Sequence, residues 1–164
     1  MIPNSIAMAS VRDAPAWKFH VFLSFRGKDT RNGFTDHLYA AFRGRGFAVF
    51  RDNEELERGE VIAHALLKAI DESLCSVVVL SPHYASSRWC LDELLRILES
   101  RAKFGRNVLP IFYDVDPSDV RHQRGTFSEA FAKHAERYGS NEIRMWRQAL
   151  KVVTDLSGWT SKDK

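Results

Sequence analysis

A chain of 164 residues suffices for one domain around one core and leaves no room for several. Hydrophobic residues make up 45% and charged residues 27%, with a formal net charge of +3, so composition fits an ordinary globular domain and argues against a dedicated nucleic-acid groove. Two cysteines, Cys75 and Cys90, exclude a disulfide framework and point to a reducing compartment, no apolar run reaches the length of a membrane span, and Met1 to Ala16 lacks the order of a signal peptide.

Residues 1–16, with Pro3 and Pro15, read as a disordered leader, 17–160 as one domain and 161–164 as a polar tail towards domains outside this chain. The cytosol, or the nucleus, is the expected location. Phe19 to Phe25 is nearly all apolar and reads as a buried strand. After the turn Arg26 to Thr30, a helix runs to about Arg43, with Phe34, Leu38, Ala41 and Phe42 facing inward and Gly44 and Gly46 ending it. Phe47 to Phe50 is a second strand and Arg51 to Gly59 a charged loop. Val61 to Ser73 has helical spacing, with Ile62, Ala65, Leu66, Ala69 and Ile70 inward, and Cys75 to Leu80 is a third buried strand.

Ser86 to Ser100 is the next helix, capped by Ser86 or Ser87, with Leu91, Leu94, Leu95 and Leu98 on one face. At about 100° per residue, Trp89 and Glu93 fall together on a stripe opposite those leucines, off the core face. An indole and a carboxylate one turn apart, near a helix start just after a strand, mark the expected functional site. Asn107 to Tyr113 is a fourth strand, made edge-like or irregular by Pro110. Asp116-Pro117 reads as a cap with proline at the first helical position, and Thr126 to Glu129 as a capping box opening a helix. A last helix starts at Ser140 or Asn141, with Ile143, Trp146, Leu150 and Val153 as its stripe, and Gly158 closes it.

Strands alternating with helices predict an α/β sandwich around a parallel sheet. The fifth strand is expected within Phe127 to Tyr138 or its flanks. Ligands of such sheets sit beyond the carboxyl ends of the strands, at the switch in strand order. There is no phosphate-binding glycine motif, no acidic phospho-acceptor set, no nucleophile elbow and no spaced zinc ligands. The six histidines are scattered and read as structural or surface residues.

Phe22 to Gly27 with Asp29-Thr30-Arg31, Phe50-Arg51-Asp52, Arg58-Gly59-Glu60, Ser87 to Leu94, Pro110 to Tyr113 with Val115 to Arg121, and Leu156 to Trp159 together resemble a plant TIR domain. The resemblance covers about Trp17 to Trp159. It implies a flavodoxin-like TIR fold, a central five-stranded parallel sheet flanked by helices, and the N-terminal module of an intracellular nucleotide-binding, leucine-rich-repeat immune receptor. Members that act as enzymes cleave NAD⁺ or NADP⁺ at the nicotinamide–ribose bond when assembled, giving ADP-ribose-type or cyclic products in defence and cell death.

The resemblance makes Glu93 the catalytic carboxylate and Trp89 an aromatic wall. It sets Arg26, Gly27 and Lys28 near the pyrophosphate, and Arg26 reads equally as a surface cation paired with Asp29. Asp52, Glu57, Arg58 and Gly59 then belong to a gating loop. Self-association is implied through Asp36 and His37 on the first helix and Arg144, Arg147 and Lys151 on the last. The implied partners are other TIR domains, with NAD(P)⁺ as substrate, no cofactor and no metal. The alternative is a non-catalytic adaptor that only recruits other TIR surfaces.

Overall fold

The computed structural model describes residues 14–51 and 60–160. Strands β1 (Phe19–Ser24), β2 (Val49–Arg51), β3 (Ser73–Leu80), β4 (Asn107–Phe112) and β5 (Trp159–Thr160) form one sheet in the order β2-β1-β3-β4-β5. All four pairings are parallel, for example Leu23 beside Arg51 and Val77, and Ile111 beside Trp159. The chain moves outward one way from β1 to β2 and the other way from β3, so the switch in strand order lies between β1 and β3.

Alternating side chains project to opposite faces of a strand. Val21, Leu23, Val77, Val79 and Ile111 therefore build one apolar layer, and Phe22, Val78, Leu80 and Phe112 build another. The first layer is met by Phe34, Leu38, Tyr39 and Phe42 of the segment that runs from α1 (Gly27–Thr30) through a wide helical turn, Arg31–Thr35, into α2 (Asp36–Gly44). The second is met by α3 (Glu60–Asp71), α4 (Arg88–Phe104), α6 (Thr126–Ala135) and α7 (Ser140–Thr154), through residues such as Ile70, Leu94, Phe131 and Trp146. A short α5 (Pro117–Arg121) joins β4 to this layer. Burial on both faces explains why the strands read as nearly unbroken apolar runs.

Local signals mostly did what their chemistry requires. Ser87 caps α4 by accepting from the Cys90 N–H at 3.2 Å, and Gly105 ends it at φ 72°. Asp116 caps α5 ahead of Pro117. The capping box at Thr126 does not form: Gly125 is the residue before α6, and the Thr126 hydroxyl donates to the carbonyl of Pro82. Ala41 and Ala65, expected to face inward, are exposed. A small alanine gains little from burial, so larger neighbours set the rotation of each helix.

Two expectations about strands need correction. Phe127 to Ala135 is helical, and the fifth strand is the two-residue β5 after the last helix. A pair of residues carries no alternation to detect. β4, in turn, is not an edge, because it pairs with β3 and β5. A Cβ placed on Gly158 would lie 2.3 Å from the Pro110 carbonyl oxygen, so that carbonyl faces the Gly158 side. The N–H and C=O of one strand residue point the same way, so the donor that proline lacks is missing on the side of Gly158, where β5 has not begun. The β3–β4 ladder loses nothing.

Candidate functional site

Glu93 is 2% exposed, not on a solvent-facing stripe as its spacing from the leucines suggested. The inward face of α4 is set by Cys90, Leu91, Leu94 and Ile97, while Leu95 and Leu98 are only half-buried, which turns Glu93 inward. Removing a carboxylate from water without partners costs several kcal/mol, about what a cavity in the core costs. Glu93 has partners. Ser24, the last residue of β1, donates from Oγ to Glu93 Oε1 at 3.0 Å. Ser24 Oγ also meets the Tyr84 hydroxyl at 2.8 Å, and Tyr84 donates to the Cys90 carbonyl at 3.1 Å. The acid is thus fastened to the carboxyl end of β1, beside the β1/β3 switch.

Glu93 lines a hollow of about 260 Å³ between α3 and α4. Its apolar wall is Ala63, Leu66 and Leu67, faced by half-buried Trp89. Asp92 lines the same hollow, but its carboxylate is engaged: Trp146 donates from Nε1 at 3.1 Å and Arg88 from Nε at 3.4 Å. Arg96, also on the rim, is held by two bonds to Asp71, at 3.1 and 2.5 Å, which keep its guanidinium above its ordinary pKa. On its other side Trp89 borders a wider hollow of about 550 Å³ with Arg88, Lys133, Arg137 and Tyr138.

Arg26, Gly27 and Lys28 are not among the residues that line the hollow with Glu93. Arg26 is paired with Asp29 at 3.0 Å, and Asp29 also accepts from Ser81 Oγ at 2.6 Å and from the His83 N–H at 3.0 Å. This cluster ties the loop after β1 to the loop after β3. A guanidinium has five donors, so the pairing leaves Arg26 able to serve a second anion. Lys28 is exposed, and Gly27 opens a helix of only four residues, too short for a useful dipole.

The chain matches the family model described as the TIR domain over residues 18–164. It belongs to the TIR domain family. It is 57% identical over 141 residues to disease resistance protein RPV1 of Vitis rotundifolia, covering 86% of this chain and 10% of that protein. It is 47% identical over 153 residues to TMV resistance protein N of Nicotiana glutinosa, covering 92% of this chain and 13% of that one. The chain therefore spans about a tenth of the length of these relatives. Among solved structures, the TIR domains of the activated Roq1 resistosome, which directly recognises the pathogen effector XopQ, superpose with a TM-score of 0.81. Identity is 46%, covering 90% of each chain. The five-stranded parallel TIR fold expected from the motifs is the fold observed.

Within this TIR domain, Asp52, Glu57, Arg58 and Gly59, expected in a gating loop, lie outside the described residues. Asp36 opens α2 and accepts from Arg51 Nη1 at 2.5 Å, while Arg51 lies 4.0 Å from the Tyr39 ring centroid. The charge of Asp36 is thus answered within the domain. His37 is exposed beside it, as are Arg144, Arg147 and Lys151 on α7. Arg147 also rests over the Phe131 ring at 4.4 Å and donates to Gln123 at 3.3 Å. The structure does not join these two groups into one surface, because α2 and α7 cover opposite faces of the sheet.

Buried His134 and half-buried His20 read as structural residues, as the sequence suggested. His134 Nε2 lies 2.7 Å from the Ala85 carbonyl and His20 Nδ1 accepts from the Ala48 N–H at 2.9 Å. Burial pushes the Cys75 thiol up, and Cys90 donates to the Phe25 carbonyl at 3.5 Å. Among the described residues no group of three or more His, Cys, Asp or Glu could hold a metal, and no helix is long and apolar enough to cross a membrane. Sequence reasoning missed Ser24 and Tyr84. The signal was a lone hydroxyl inside the apolar run Phe19 to Phe25, a polar group that must find a partner when buried.

Proposed function

We propose that this TIR domain is a self-association-dependent NAD(P)⁺ glycohydrolase and the signalling module of a disease-resistance receptor. The observation that carries the reading is a buried carboxylate, Glu93, lining a hollow with one aromatic and one apolar wall at the carboxyl end of β1. The bond broken joins ribose C1′ to the pyridinium nitrogen. Its electron pair leaves with the ring, so a cation departs as neutral nicotinamide and no general acid is required. That accounts for one available carboxylate where glycosidases generally use two. Positive charge builds on the ribose in the transition state, and an anion in a desolvated pocket stabilises it more than it stabilises the ground state. Water then adds at C1′ and releases a proton, giving the ADP-ribose-type product.

Size supports a divided site. A hollow of about 260 Å³ lies just below the usual range of small-molecule pockets, roughly 300–1,000 Å³, so it accepts the nicotinamide riboside end and leaves the adenosine end outside. Trp89 supplies a flat apolar face for the ring. The similarity to the TIR domains of an activated resistosome supports assembly as the trigger. Replacing Glu93 by Gln keeps shape and hydrogen bonding but removes the charge. Nicotinamide release from the assembled protein is expected to fall at least about a hundredfold, with melting temperature and oligomeric state preserved. Undiminished release by Glu93→Gln would leave the non-catalytic adaptor as the function.

A further inference from the structure

The wider hollow of about 550 Å³ on the other side of Trp89 opens between the start of α4 and the end of α6. Its walls carry three cations, Arg88, Lys133 and Arg137, against one carboxylate, Glu136. Two rings, Trp89 and Tyr138, complete it. Glu93 does not line it, and the cleavage of NAD(P)⁺ proposed above uses none of its cations.

Cations at the end of a helix need little explanation, and Lys133 and Arg137 stand in the last turn of α6 and just past it. Arg88 is different: it opens α4, where the positive end of the helix dipole disfavours a cation. Its neighbours hold it there. The guanidinium carbon lies 5.1 Å from the Trp89 ring centroid and 5.3 Å from that of Tyr138. Partial burial works against its charge, but the hydrogen bond with Tyr138 and the nearby Asp92 carboxylate outweigh it and hold Arg88 above its ordinary pKa. The planar fork is thus fixed before any ligand arrives, so little entropy is lost on binding. Lys133 and Arg137 are exposed one turn apart, and no carboxylate among the described residues pairs with them. Like charges at that spacing repel, and an anion shared between them relieves the repulsion.

Size and wall chemistry narrow the anion. A volume of about 550 Å³ sits inside the usual range for small-molecule pockets, roughly 300–1,000 Å³, and is far more than one phosphate fills. Arginine and lysine take phosphate oxygens, arginine two at a time. Aromatic rings and a guanidinium plane take a nucleobase by stacking, with little regard to which base it is. We propose that this hollow binds a free nucleoside diphosphate, its phosphates on Arg88, Lys133 and Arg137 and its base against the flat wall of Trp89 and Tyr138, at a site separate from the Glu93 hollow.

The test is a calorimetric titration of the chain with ADP. ADP has no nicotinamide–ribose bond, so its binding is read whether or not the domain cleaves NAD⁺, and failure here leaves the glycohydrolase reading standing. Saturable binding below about 1 mM, weakened by added salt, is expected. Lys133→Gln and Arg137→Gln are each expected to raise Kd roughly three- to tenfold. Arg88→Lys keeps the charge but loses the fork, and a similar rise is expected. Lys151→Gln on α7 removes the same charge outside the hollow and is expected to leave Kd unchanged. Pyrophosphate alone and adenosine alone are each expected to bind at least about tenfold more weakly than ADP. Melting temperatures confirm that the variants fold. No saturation by about 1 mM ADP, a Kd unmoved by the three hollow variants, or an equal rise in Lys151→Gln overturns the site. Pyrophosphate binding as tightly as ADP overturns the nucleotide assignment. A short single-stranded RNA binding more than about tenfold tighter than ADP overturns the free nucleotide in favour of a nucleic-acid surface.

Discussion

Asp92 and Glu93 are neighbours on α4 that both line one hollow, yet their partners assign them different work. Asp92 accepts from the indole of Trp146, the largest wholly buried side chain, and so answers a donor that would otherwise be stranded in the core. Asp92→Ala is expected to cost about 1–3 kcal/mol, the penalty for an unsatisfied buried donor. Asp92→Asn keeps an oxygen for the indole and is expected to recover most of that loss. Urea unfolding of the two variants measures the difference. Nicotinamide release per folded molecule is expected to survive in both, because Glu93 is fastened through Ser24 and not through Asp92.

Among the elements, α4 and β5 show how a local signal depends on what meets it. α4 has its serine cap and a clear apolar stripe, both visible beforehand, but it runs on past Ser100 to a glycine stop at Gly105 that was not. Which side of that stripe is innermost was not visible, because the sheet below it selects Ile97 over Leu98. β5 is the reverse case, since two residues exist as a strand only because β4 offers an open edge. Its entry depends on Gly158, where any Cβ would collide with Pro110. Gly158→Ala is expected to cost about 1–3 kcal/mol through forced displacement. The melting temperature is expected to fall by roughly 2–4 °C for each kcal/mol lost, and a thermal scan checks this.

Across the whole molecule, the sheet separates two surfaces. α2, with Asp36 and His37, covers one face, while α7, with Arg144, Arg147 and Lys151, covers the other. On the self-association proposed above, contacts of the two helices with neighbouring copies are therefore expected to be independent. A negative charge introduced at His37 (His37→Glu) and charge reversal at Lys151 (Lys151→Glu) are expected to change the free energy of self-association additively, within about 0.5 kcal/mol. Sedimentation equilibrium on both single variants and the double variant measures it. A large non-additive term would mean that one neighbour touches both helices at once.

Much of this was written in the chain before any coordinate. The order of strands and helices followed from alternating apolar runs, the caps at Ser87 and Asp116 from side chains that satisfy free N–H groups, and the family from motifs spread over the whole domain. These are local or additive properties, and a linear text carries them. Glu93 was singled out by its spacing from Trp89, but the angular estimate placed it towards solvent. Only the packed sheet turned it inward and brought it against Ser24, 69 residues away in sequence, and through Ser24 to Tyr84. The two-residue β5, the separation of α2 from α7 and the hydroxyl line behind the acid likewise belong to tertiary structure, because each is a relation between distant residues that no single segment contains.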